Sequence, residues 1–197
     1  WLSTVNHKRI GIVYGFAGIW AGFMGLSMSL LMRLNHFDTY RNIVPTEVYN
    51  YLVTGHGVTM IFFFLMPLLI GGFGNYLLPM LLVTSDLVYP RINALSLWLL
   101  LPSLLFFVLS FYHGSGVGWT FYPPLSSYFF SGTGVDFMLL SLHLAGISSL
   151  LGSLNFVCTI WDSCSITNYS NQSILIWAYF ATSWLLLLSL PVLASAI

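Results

Sequence analysis

The chain has 197 residues, of which 5% are charged and 58% hydrophobic, and its mean hydropathy is +0.89. A soluble domain carries roughly 25% charged residues, so a water-facing globular class is excluded and the bilayer is the expected solvent. Five acids balance five bases, which leaves neither a nucleic-acid footprint nor an acidic tail.

The first expected span covers residues 10–34: Ile10 to Met32 is uncharged, with Lys8-Arg9 before it and Arg33 after it. At 1.5 Å per residue such a run crosses a hydrocarbon core of roughly 30 Å with some tilt. The second, about 47–81, starts after the Pro45-Thr46 helix-start signal. It crosses Pro67 and Gly71-Gly72, which predict a bend. The third runs over about 95–112. The segment that follows, Phe111 to Gly134, is rich in glycine and contains Pro123-Pro124. It reads as a structured interfacial loop, with Trp119 and Tyr122 as headgroup-level anchors. The fourth span is expected over 137–161 and the fifth over 174–197. No run alternates with period two, so a transmembrane barrel is excluded. The expected fold is all-α, a polytopic transmembrane helix bundle forming one domain over 1–197.

Charge places Lys8-Arg9 and Arg91 on one side of the membrane and Arg33 and Arg41 on the other. The missing initiator Met and the apolar run from Leu185 to Ile197 read as part of something longer. Cys158 and Cys164 make no disulfide framework or metal clip and read as inert thiols. Asn168 and Asn171 match the glycosylation pattern, a signal of little weight.

An ionisable ring within a span is a functional candidate by default. His56 lies in Thr54-Gly55-His56-Gly57, where small neighbours let a flat group approach the backbone. A neutral imidazole is a common haem-iron ligand, yet the same setting suits a histidine acting as polar glue between helices. His143 is the other histidine deep enough to be considered. No span carries the second histidine that a stacked two-haem cytochrome requires. Arg33 is placed either to snorkel to the interface or to bond the polar edge of a cofactor. Asp86, Asn75 and Asn93 bracket the connection between spans two and three. Together with Ser148, Ser149 and Asn155 they fit a water-filled proton path; alternatively, Asp86 pairs with Arg91 in a loop salt bridge.

Longer stretches carry more. Asn6-His-Lys-Arg-Ile-Gly, Thr54-Gly-His-Gly-Val-Thr-Met-Ile-Phe-Phe, Met66-Pro-Leu-Leu-Ile-Gly-Gly-Phe-Gly-Asn75 and Asp86-Leu-Val-Tyr-Pro-Arg-Ile-Asn93 are followed by Gly118-Trp-Thr-Phe-Tyr-Pro-Pro-Leu, Ser141-Leu-His-Leu-Ala-Gly-Ile-Ser-Ser149 and Leu188-Ser-Leu-Pro-Val-Leu. In order and spacing the chain resembles subunit I of the haem-copper oxidases, on its cytochrome c-oxidising side.

The resemblance implies five of that family's twelve spans and a redox-driven proton pump of the mitochondrial inner membrane. Electrons would come from cytochrome c by way of other oxidase subunits, and oxygen would be reduced to water. By the same resemblance, His56 is an axial ligand of a low-spin haem a, Arg33 bonds that haem's formyl group, and Trp119 and Tyr122 lie near haem propionates. Asp86 is the mouth of a matrix-side proton channel continued by Asn75, Asn93, Ser148, Ser149 and Asn155. A second haem a and one copper ion are expected in the complete protein, with ligands outside these 197 residues; the fragment alone is expected to be inactive. Asn35 stands where many members carry a Glu that helps hold a calcium or sodium ion, so that site is not expected. The rival reading is a proton-relaying transporter or channel without haem.

Overall fold

The computed structural model describes residues 3–37, 43–166 and 172–196, with the side chains of 164–166 outside that description. Arg41, Asn168, Asn171 and the Cys164 side chain therefore lie outside the described residues. Helix α1 is His7–Asn35, capped by the Asn6 side chain, which accepts a hydrogen bond from the Lys8 amide at 2.9 Å. Helix α2, Thr46–Val58, begins behind Pro45. It continues without a break through two π-helical stretches, Thr59–Leu65 and Pro67–Gly74, into α3, Asn75–Leu81. Then come α4 (Pro90–His113), the short α5 (Tyr128–Ser131), α6 (Gly134–Ile166) and α7 (Ile174–Ala196).

Five helical segments are long and apolar enough to cross a membrane: His7–Asn35, Thr46–Leu81, Pro90–His113, Gly134–Ser163 and Ile174–Ala196. The all-helical bundle read from the uncharged runs is thus the observed architecture. Its helices extend past the runs because their polar ends continue the helix into the interface. The expected bend around Pro67 takes the form of widened turns. Proline has no N–H to give and its ring crowds the preceding turn, and π-type turns absorb such local mismatch, often at functional sites.

Polar and apolar groups are distributed opposite to a soluble protein. Phe16, Leu188 and Val192 are each about two-thirds or more exposed, whereas Asn75, Asn93, Ser103, Ser141, Ser148 and Asn155 are buried. Apolar side chains can face lipid at no cost, while polar groups must find partners inside. The chain is a multi-pass membrane protein.

Helix α4 packs along α6, and α1 lies against the α2–α3 segment. Between them sits a core that includes Ile10, Ala21, Val58, Phe63, Phe107 and Met138, with the rings of Phe63 and Phe107 5.0 Å apart. The crossing of α1 over the π-helical segment is close: a Cβ on Gly11 would sit 2.9 Å from the Gly72 carbonyl oxygen. Register between α4 and α6 is set by a reciprocal pair. Ser103 Oγ donates to the Ser141 carbonyl at 2.7 Å, and Ser141 Oγ donates to the Ser103 carbonyl at 2.8 Å. A double-mutant cycle of Ser103→Ala and Ser141→Ala in the membrane-embedded protein is expected to give a coupling of about 0.6–2 kcal/mol. Additive losses would mean that the pair does not act as a unit.

Candidate functional site

His56 lies in the last turn of α2 and is half-buried. Its Nδ1 is 2.8 Å from the Gly25 carbonyl oxygen on α1. A carbonyl can only accept, so Nδ1 carries the proton and the neutral ring keeps its lone pair on Nε2. This is the tautomer a metal-ligating histidine needs, with the partner nitrogen anchored by a backbone carbonyl. The glycines on either side leave space that other residues fill. The Phe111 ring occupies the position a Cβ on Gly55 would need, and a Cβ on Gly57 would lie 3.7 Å from Trp119 Cβ. The loop after α4 is stapled here: Thr54 Oγ1 accepts from the Gly118 amide at 3.0 Å while donating to the Asn50 carbonyl at 2.9 Å. Trp119 is thereby held beside the turn that carries His56.

Other sequence-derived candidates lie apart from His56. Arg33 is exposed, eight residues beyond Gly25 on α1, roughly 12 Å along the axis. Tyr122 is 71% exposed. His143 faces away, its Nδ1 2.7 Å from the Leu139 carbonyl and its Nε2 3.1 Å from the Ala194 carbonyl. Among the described residues no cluster of three or more His, Cys, Asp or Glu exists that could hold a metal ion. Of the described residues near this loop, His56 could offer one imidazole nitrogen, Nε2, to a metal or cofactor. Asn35, which stands where the resemblance places an ion-binding Glu, accepts through Oδ1 from the Val44 amide at 3.0 Å.

The polar residues form a second constellation toward the amino-terminal end of α1. Asp86, in the α3–α4 connection, accepts from the Leu87 amide at 2.8 Å, and its Oδ1 lies 3.1 Å from Nδ1 of His7. Its partner is therefore His7, not Arg91 as the salt-bridge reading had it: α1 starts directly against this connection, whereas Arg91 is exposed at the start of α4. Asn155 is fully engaged, accepting from the Tyr89 amide at 3.0 Å and donating to the Tyr89 carbonyl at 3.1 Å. It fixes the entrance to α4. Farther in, Tyr14 donates to Ser96 Oγ at 2.8 Å and lies 3.3 Å from Ser148 Oγ, and Ser148 donates to the Ser96 carbonyl at 2.6 Å. Asn75 donates to the Gly71 carbonyl at 2.7 Å.

Asn75, Ser148 and Ser149 meet around a cavity of about 20 Å³, together with Tyr14 and Ser96. That is room for one water molecule. The Oδ1 of Asn75, both amide atoms of Asn93 and Nε2 of His7 are buried without a protein partner. Leaving such a group unpaired costs about 1–3 kcal/mol, so ordered water is the expected partner.

A family model described as "Cytochrome C and Quinol oxidase polypeptide I" matches residues 9–197. The chain belongs to that family. It is 46% identical to cytochrome c oxidase subunit 1 of Pecten maximus, covering 100% of this chain and 42% of that protein. The subunits of the same name from Yarrowia lipolytica and Candida albicans are each 42% identical, covering 100% of this chain and 38% of theirs. The chain thus spans about two-fifths of the length of these relatives.

Within this oxidase-family chain, four participants escaped the sequence reading. Gly25 has no side chain to mark it, and only its carbonyl takes part. His7 stood in the quoted Asn6-His-Lys motif but outside the uncharged runs. A signal for Tyr14 was available: it is a phenol well inside an otherwise apolar span, away from the interface where tyrosine usually sits. Ser96 falls three residues after Asn93, whose carbonyl its hydroxyl bonds at 2.7 Å.

Proposed function

We infer that this chain is part of the catalytic subunit of a terminal respiratory oxidase, moving electrons from cytochrome c to oxygen with coupled proton pumping across the mitochondrial inner membrane. The observation that carries this reading is the His56 imidazole, anchored at Nδ1 by the Gly25 carbonyl with Nε2 left to a ligand. Family membership supplies the class of reaction, and the names of the relatives supply the electron donor.

In this reading His56 would hold the iron of a low-spin haem a, which would supply one-electron transfer when bound. Gly25 fixes the tautomer and the ring plane. Trp119, held by the Thr54 staple, and Tyr122, farther along that loop, would lie on the side of the haem propionates. Arg33, exposed near the end of α1, would bond the formyl group. The second haem a and the copper ion belong to the rest of the subunit, and cytochrome c delivers electrons through other subunits.

Protons enter at Asp86, whose carboxylate shares a hydrogen bond with His7 at the mouth. Asn93 and Asn75 present unpartnered amide atoms to water, and Tyr14, Ser96, Ser148 and Ser149 order the next position inward. Asn155 lines the route by holding the Tyr89 backbone rather than by offering a free polar group. The test is a reduced-minus-oxidised absorption spectrum of the purified parent complex. Haem bands are expected, and a complex of this chain with none would leave a proton-relaying channel or transporter.

A further inference from the structure

We propose that Tyr179 of α7 is a positioning residue for proton uptake, holding in place the ring and the backbone that wall the water cavity at Asn75. The proposal rests on the proton-path reading of Asn75, Ser148 and Ser149. The Tyr179 hydroxyl donates to the Leu69 carbonyl at 3.1 Å, 110 residues away in the chain and within the π-helical stretch Pro67–Gly74. Its ring meets Phe156 of α6 edge-on, with centroids 6.0 Å apart and planes at 79°. Both rings press on the bare backbone of Gly74: a Cβ there would lie 2.6 Å from Phe156 Cε2 and 3.2 Å from Tyr179 Cε1. One phenol thus ties α7 to α6 and to the widened turns, at the residue that precedes Asn75.

Those contacts stand behind the cavity. Phe156, Gly71 and Asn75 line it together with Ser148 and Ser149. Asn75 is tied to the same backbone, its Nδ2 donating to the Gly71 carbonyl at 2.7 Å, which leaves a buried Oδ1 for water. Leu69 lies two residues before Gly71, so Tyr179 and Asn75 grip carbonyls of one turn. At about 20 Å³ the cavity has room for a single water. Proton transfer needs heavy-atom separations of about 2.6–3.2 Å, so a small shift of one wall decides whether that water still bridges its neighbours. Tyr179 is half-buried, its ring backed by Phe156 and its hydroxyl by Leu69. Without the hydroxyl bond the ring can tilt, and Phe156 loses its support. Tyr179 does not itself line the cavity, and its effect passes through Phe156 and the π-helical backbone.

The experiment uses the complete oxidase reconstituted in vesicles and compares Tyr179→Phe, Tyr179→Leu and Asp86→Asn with the wild type. Time-resolved proton uptake and the rate of low-spin haem reduction are read on the same samples. The absorption spectrum and retention of partner subunits check assembly. Tyr179→Phe, which removes only the hydroxyl, is expected to slow proton uptake about threefold and Tyr179→Leu about tenfold, both within the roughly hundredfold cost of a misplacement of about 1 Å. Haem reduction is expected to keep its wild-type rate in both. A merely structural residue would lower assembly or slow both rates together, and either result without a selective loss of proton uptake overturns the proposal. Wild-type uptake in both Tyr179 variants, beside a slowed Asp86→Asn, overturns the proposal and leaves the path standing. Unchanged uptake in Asp86→Asn removes the path, and the proposal with it. If Tyr179→Leu does not assemble, Tyr179→Phe decides alone.

Discussion

Replacing His56 by Ala in the complete protein is expected to abolish the low-spin haem and with it electron transfer to oxygen. The methyl group offers no lone pair, and the helix has no second histidine to take over. The change also removes the second donor that the Gly25 carbonyl holds at 2.8 Å, a loss of about 0.5–1.5 kcal/mol because that carbonyl keeps its helical bond. Stability and haem loss must therefore be separated. His56→Asn keeps an N–H for Gly25 but is a poor iron ligand, so it should restore assembly without restoring the absorption band. The check is the absorption spectrum of each purified variant, with assembly followed by retention of the partner subunits. A low-spin band that persists in His56→Ala would remove His56 from the haem site.

Asp86→Asn is expected to slow proton uptake by about a hundredfold, the low end of what a positioned proton-transfer group contributes, while haem incorporation stays normal. The substitution is nearly isosteric. Its amide oxygen can still accept from the Leu87 amide and from His7 Nδ1, so the local fold has no reason to change. What disappears is the ability to take up and release a proton. Time-resolved proton uptake by the reconstituted complex gives the measurement, and turnover equal to the wild type would remove Asp86 from the path.

The five helices were legible because bilayer solvent imposes one strong rule: a run of about twenty residues without charge must close its own hydrogen bonds as a helix. His56 stood out for the same reason, as an ionisable group where such groups are scarce. Contacts between spans were less legible. Gly25 is 31 residues from His56 in the chain and His7 is 79 from Asp86, and nothing in local spacing records which helix ends lie together. The choice between Arg91 and His7 as partner of Asp86 was decided by the packing of α1 against the α3–α4 connection. Asn155 looked like a free amide and turned out to be a two-point clamp on Tyr89. The π-helical turns were invisible in a different way. Proline and paired glycines announce a disturbance in a helix but not whether it is relieved by bending or by widening.

Those widened turns lie between His56 and Asn75 within one uninterrupted span, so a single covalent rod carries both the His56 ring and the Asn75 amide. On such a rod angular phase is counted in residues, and adding or deleting one turns everything beyond it by about 100° in α-helical geometry. The loop between α4 and α6 can change length beyond Trp119 without breaking the Gly118–Thr54 staple. The stretch from Thr59 to Gly74 has no such freedom, and its residue number is as much a specification of the protein as the identity of His56.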